Sequence, residues 1–171
     1  MKNLEKIQMV TGGLTTILFF VHVILMTLLL AGTVGYSASY KYMGIALIVM
    51  MVVHIIVSCI SILTRKERNK KFYRLKWITG VLMLLIMFVH GTDYKEEVNF
   101  LCFHFNKGIV AACIEILFLI VCTLHIRINV GVICDHFDMD DNQKLLWGRI
   151  ACAIATITIV IPSIAIWRYF M

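Results

Sequence analysis

Imidazole is a strong ligand for iron and an expensive group to bury in hydrocarbon, so a histidine inside a long apolar stretch is by default a functional residue. This chain has four of them, His22, His54, His90 and His125, one in each of four such stretches. Two of the stretches repeat one another. Lys6-Ile7-Gln8-Met9-Val10-Thr11-Gly12 leads through nine further residues to His22, in Phe20-Val21-His22. Arg74-Leu75-Lys76-Trp77-Ile78-Thr79-Gly80 leads through nine further residues to His90, in Phe88-Val89-His90. A basic residue precedes each histidine by sixteen positions, roughly 24 Å on a helix. The two imidazoles therefore reach one depth. His54, eleven residues before Arg65, and His125, nine to ten before Cys134-Asp135, share a second depth, ~14–17 Å above the inner face. Paired imidazoles in two layers roughly 8–10 Å apart are the ligand set of two stacked bis-histidine b-type haems. Zinc wants three or four ligands at one depth with carboxylate or thiolate help. The six cysteines contain no C-x-x-C and no C-x-x-C-H, which argues against zinc, iron–sulfur and covalently attached haem.

To position these rings the chain needs helices that cross a bilayer, and five apolar runs qualify: about Ile7 to Gly32, Tyr42 to Thr64, Leu75 to Thr92, Gly108 to Val130 and Leu145 to Trp167. The third is the shortest. The first is too long for the apolar core of a signal peptide, so the N-terminus is expected to be retained. Short connections make consecutive helices antiparallel neighbours, and four of them an up-down bundle with haems in its core. Parallel members lie diagonally, so the first and third helices share one haem (His22 with His90) and the second and fourth the other (His54 with His125). The fifth helix has no histidine. Its Ala151 and Ala155, spaced by four, and Pro162 make it a packing helix at the side. The expected architecture is an all-α membrane protein with one transmembrane domain over residues 1–171.

Composition agrees: 61% of the 171 residues are hydrophobic, the mean hydropathy is +0.90 and there is one proline. The net charge of +6 is distributed as a topology signal rather than a nucleic-acid surface. With the N-terminus inside, Lys2, Lys6, Arg65, Lys66, Arg68, Lys70, Lys71, Arg74, Lys76, Arg127, Lys144 and Arg149 fall on the inner side. Lys41, Lys95, Lys107 and Arg168 fall outside. That distribution predicts N-in and C-out in the cell (cytoplasmic) membrane. Trp77 and Trp147 mark the inner interface; Tyr36, Tyr40, Tyr42, Tyr94, Trp167 and Tyr169 mark the outer one.

Several further residues bear on chemistry. Thr11 and Thr79 each precede a histidine by eleven residues, about 20° apart in helical phase, so each faces the core one layer lower. They are candidate contacts of the inner haem; the alternative is a hydroxyl bonded to the carbonyl one turn back. Gly12 and Gly80 permit close approach of a porphyrin or a backbone. Arg127, two residues past His125, is the best-placed partner for a haem propionate, with Arg65, Lys66, Arg68 and Lys76 behind it. Glu115, the one carboxylate well inside a span, is a candidate for proton exchange at a quinone site. His104 belongs to the outer interface, and His136 to a solvated acidic loop that faces a partner subunit. The cysteines are read as small apolar packing residues.

Thr11-Gly12 with His22, His54, Thr79-Gly80 with His90, and Leu124-His125-Ile126-Arg127-Ile128-Asn129-Val130-Gly131 after a glutamate-containing helix resemble the di-haem cytochrome b membrane-anchor subunit of succinate dehydrogenase and quinol:fumarate reductase complexes. The resemblance spans nearly the whole chain. It implies five membrane helices, an outer haem b on His22 and His90, and an inner haem b on His54 and His125. It also implies a membrane quinone as substrate and soluble flavoprotein and iron–sulfur subunits on the cytoplasmic side. The chain would then be an electron-transfer subunit of a quinone-linked oxidoreductase in the respiratory chain. Other bis-histidine membrane cytochromes b, such as hydrogenase or formate dehydrogenase anchors or the cytochrome b561 type, differ in which helices share a haem. A small transporter or scaffold with buried histidines is the non-redox alternative.

Overall fold

In hydrocarbon every backbone N–H and C=O must be satisfied within its own segment, so runs rich in Ile, Val and Phe that would be mediocre helix formers in water become helices. The computed structural model describes residues 2–35, 38–64, 70–93 and 108–171, and within them it consists of five helices: α1 (Lys2–Leu30), α2 (Ala38–Thr64), α3 (Lys70–Asp93), α4 (Ile109–His136) and α5 (Asp141–Phe170). Four of these, all but α3, hold segments long and apolar enough to cross a membrane. The chain is thus a multi-pass membrane protein by its helices. Tyr36, Arg65, Lys66, Arg68, Tyr94, Lys95, Cys102, His104 and Lys107 lie outside the described residues, as do the side chains of Tyr40, Lys41 and His90.

The chain forms two compact units, Met1–Asn69 and Lys70–Met171. The first is the α1–α2 pair. Phe19, Val23, Leu47 and Met51 are its buried apolar contacts. α1 stops at Leu30 because Gly32 takes φ +70, a conformation that costs glycine nothing. The Gly32 and Thr33 amides then donate to Leu29 and Leu28 carbonyls at 3.0 and 3.1 Å, and so cover the orphan acceptors of the last turn. Gly32, expected as the end of the span, is therefore the residue that ends the helix.

In the second unit α4 packs against both α3 and α5 and is the most buried helix. It runs past Val130, the expected end of its span, to His136, since the apolar Val130–Cys134 segment continues the helix to Asp135. Half of the expected acidic loop from Asp135 to Asn142 is helix. Only Phe137–Asp140 turns, with Asp138 at φ 48. Asp140 caps α5 through a reciprocal box: its carboxylate accepts from Gln143 N at 2.8 Å, and Asp140 N donates to Gln143 Oε1 at 3.2 Å. Lys144 pairs with Asp135 across the turn at 2.9 Å. α5 offers α4 a stripe of mostly small residues, with Ala151 and Ala155 half-buried and Thr158, Pro162 and Ala165 buried. This is the packing role expected of it.

Candidate functional site

Each unit joins a Thr-Gly step on its first helix to a histidine on its second. In the first, Thr11 Oγ1 lies 3.2 Å from His54 Nδ1. In the second, Thr79 Oγ1 lies 2.9 Å from His125 Nδ1. The hydroxyl has one proton, and its own helix supplies an acceptor for it: Gln8 O at 3.2 Å for Thr11, Leu75 O at 2.9 Å for Thr79. With that proton directed down the helix, the hydroxyl accepts from the ring. The imidazole then carries its hydrogen on Nδ1 and its lone pair on Nε2. Of the two alternatives foreseen for these threonines, the bond to the preceding turn is present, and it fixes the hydroxyl that orients the ring.

The glycines make room for it. A Cβ on Gly12 would stand 2.9 Å from His54 Cε1, and one on Gly80 3.5 Å from His125 Cε1. What approaches these glycines is the ring of the neighbouring helix. One turn further, Gln8 Nε2 donates to Ser58 Oγ at 3.1 Å, tying α1 to α2 beside the Thr11–His54 pair. At the corresponding place on α4, Asn129 Nδ2 donates to His125 O at 2.8 Å. Gln8, Ser58 and Asn129 are neighbours of these pairs that the spacing of histidines does not single out, although each lies one turn from a residue that it does.

His22 lies at the other level of the first unit. It faces α2 where a Cβ on Gly44 would be 3.9 Å from its Cε1. Glu115 is buried on α4 at 4% exposure, in a stripe with Ala111, Ala112 and Leu119. The Arg127 guanidinium is drawn onto α5: Nε donates to Cys152 Sγ at 3.4 Å, and Nη2 is 3.3 Å from where a Cβ on Gly148 would be. Cys152 has a polar role here as an acceptor. His136 stands in the last turn of α4, its ring edge-on to Phe137.

Interhelical hydrogen bonds in membranes contribute only about 0.6 kcal/mol on average. The Thr–His bonds therefore matter more for holding the rings than for holding the helices. A histidine whose Nδ1–H is fixed by a hydrogen bond and whose Nε2 keeps the lone pair is the ligating form. His54 and His125 fit axial coordination of iron in that respect. Among the described residues no three His, Cys, Asp or Glu side chains converge on one point, the arrangement zinc would use. Compared with models of known protein families, with curated proteins and with solved structures, the chain finds no match, and its site is read from its own geometry.

Proposed function

We propose that the chain is a di-haem cytochrome b of the succinate dehydrogenase/quinol:fumarate reductase anchor type. It would span the cytoplasmic membrane five times, N-in and C-out, and link a membrane quinone to flavoprotein and iron–sulfur subunits on the inner side. The single observation that carries the reading is the duplicated threonine-to-histidine Nδ1 bond, 3.2 Å in one unit and 2.9 Å in the other. Each unit holds one imidazole through its Nδ1, the nitrogen that a ligating histidine gives to its hydrogen-bond partner. His54 and His125 serve the inner haem; His22 and His90 serve the outer.

Haem b, when bound, supplies a one-electron carrier at each level. The protein's own part is to orient the four rings and exclude water. Thr11 and Thr79 hold two of them. Gly12 and Gly80 let those rings come close to the adjoining helix. Arg127 is the candidate partner for a propionate and would leave Cys152 to make that pair.

Purified protein is expected to hold two low-spin b-type haems by its absorption spectrum and pyridine haemochrome assay. His54→Ala or His125→Ala should remove one haem, and His22→Ala or His90→Ala the other. A protein free of haem, or one haem lost to all four substitutions, refutes the assignment.

A further inference from the structure

Near its turn the α4–α5 hairpin holds a guanidinium in a notch on α5. Lys144 Nζ meets Asp135 at 2.9 Å and Arg127 Nε meets Cys152 Sγ at 3.4 Å. Eight residues separate the two contacts on each helix, so they mark one antiparallel register. Gly148 lies midway between Lys144 and Cys152 on the same side of α5, about 6 Å nearer the turn than Cys152. Arg127 Nη2 reaches that glycine, 3.3 Å from where a Cβ would be. The side chain therefore runs out of the hydrocarbon toward the membrane face on which the turn lies. The level of the notch follows from α5 itself. Arg149 and Arg168 bracket the 18 uncharged residues 150–167, about 27 Å of helix and close to the hydrocarbon thickness. Gly148, between the exposed Trp147 and Arg149, is thus just outside that stretch, where lipid headgroups begin. His125, two residues before Arg127, turns its Nδ1 to Thr79 of α3. Two residues are about 200° around a helix, so Arg127 faces away from that ring.

Among the described residues the Arg127 side chain has no ion pair and one hydrogen bond, to the weakly accepting Cys152 sulfur. Its Nη1 and Nη2 hydrogens are left for an acceptor from outside the chain. A guanidinium at the edge of hydrocarbon is held at lower cost by an anion, and its planar fork matches a phosphate. We propose that Arg127 and Arg149 bind the phosphate of a zwitterionic phospholipid seated at the Gly148 notch, its ammonium directed outward to Asp138 and Asp141. Those two aspartates are exposed and lie nearer the turn than the notch does. They select the headgroup: an ammonium beyond the phosphate meets opposite charge there, whereas an uncharged or anionic headgroup gains nothing from them. The site does not rest on the di-haem reading, and it gives Arg127 a different anion from the propionate considered with it.

The test is native mass spectrometry of the whole protein in detergent, with phosphatidylethanolamine and phosphatidylglycerol of identical acyl chains titrated in separately. One phosphatidylethanolamine should bind in preference to phosphatidylglycerol. Arg127→Gln and Arg149→Gln should each weaken it roughly 10–100-fold. Cys152→Ala, which removes only a competing acceptor, should not weaken it. Arg149 is exposed, so its variant reports on the site even where Arg127→Gln fails to fold. Binding unchanged in either arginine variant, or phosphatidylglycerol bound as tightly as phosphatidylethanolamine, overturns the proposal. So does an Arg127→Gln protein that binds lipid as the wild type does but loses a haem, since that gives the guanidinium to a propionate. A wild type without haem that still binds phosphatidylethanolamine through both arginines upholds the lipid site while refuting the di-haem reading.

Discussion

A hydroxyl 2.9 Å from an imidazole nitrogen does little for stability inside a membrane, yet it decides which nitrogen is basic. Thr79→Ala is therefore expected to leave the helices intact and lower haem retention at the inner site about 10–100-fold, the usual consequence of losing such a partner. Thr79→Ser, which keeps the hydroxyl, should restore it. Haem-to-protein ratio after dilution into apomyoglobin measures both, and equal retention in the alanine and serine variants would deny the threonine its role. The glycines give a sharper contrast. At Gly12 a Cβ would meet His54 Cε1 at 2.9 Å, closer than van der Waals contact allows, whereas at Gly80 the separation from His125 Cε1 is 3.5 Å, an ordinary contact. Gly12→Ala should swing the His54 ring off Thr11 and cost the inner haem with helix content unchanged. Gly80→Ala should be nearly silent. Circular dichroism and the haem spectrum, taken together, check the pair; equal behaviour of the two variants would mean that ring packing on these glycines is unimportant.

At the scale of elements, the α4–α5 hairpin is held at its turn by polar groups and along its length by small residues. The Asp140 box satisfies two amides at the start of α5. Asp140→Ala should cost about 1 kcal/mol of stability, read as a lower midpoint of thermal unfolding in detergent. Removing the exposed Lys144–Asp135 pair should matter less. An Asp140 variant as stable as the wild type would show that packing alone sets the turn. Helix existence was legible in the apolar runs, and the role of α5 in its Ala151, Ala155 and Pro162. The end of α4 was less so. Acidic residues at Asp135, Asp138, Asp140 and Asp141 look like a loop, but the first lies on the helix and the third is a cap. The aspartate–glutamine spacing of that cap was available to be read. The Thr–His bonds were not, because they depend on the register between two helices. The intervals from Thr11 to His54 and from Thr79 to His125 differ by three residues, 43 against 46, so the repeat is hidden in the second helix of each unit. Depth along a helix can be counted from a sequence. Facing residues across a pair cannot, until the lengths of both connections are known.

For the molecule as a whole, the number of crossings decides which face α4 and α5 turn on. α3 is the undecided helix. Its apolar run from Leu75 to Thr92 is 18 residues long, about 27 Å, a few ångströms short of the hydrocarbon thickness, and its start is crowded by Lys70, Lys71, Arg74 and Lys76. Two features favour crossing. Leu75, Ile78, Leu82 and Leu85 follow one another at helical spacing and all stay exposed, as lipid-facing residues do. The basic residues at its start suit an inner interface, where Lys and Arg extend their heads to water and shorten the span required. If α3 crosses, the turn at Phe137–Asp140 lies inside with the N-terminus, and Met171 lies outside. If it does not, those two positions exchange sides. The excess of basic residues on the inner face is twelve against four in either arrangement, because Lys95, Lys107 and Arg168 exchange sides with Arg127, Lys144 and Arg149, so it orients the N-terminus without deciding whether α3 crosses. A cysteine placed at Asp138 in a background freed of its natural cysteines should resist an impermeant maleimide added to intact cells and react once the cells are opened. A C-terminal tag should behave in the opposite way. Labelling at Asp138 from outside, with the tag protected, would show that α3 does not cross. His90 could then not share a level with His22, and the di-haem assignment would fall with the topology.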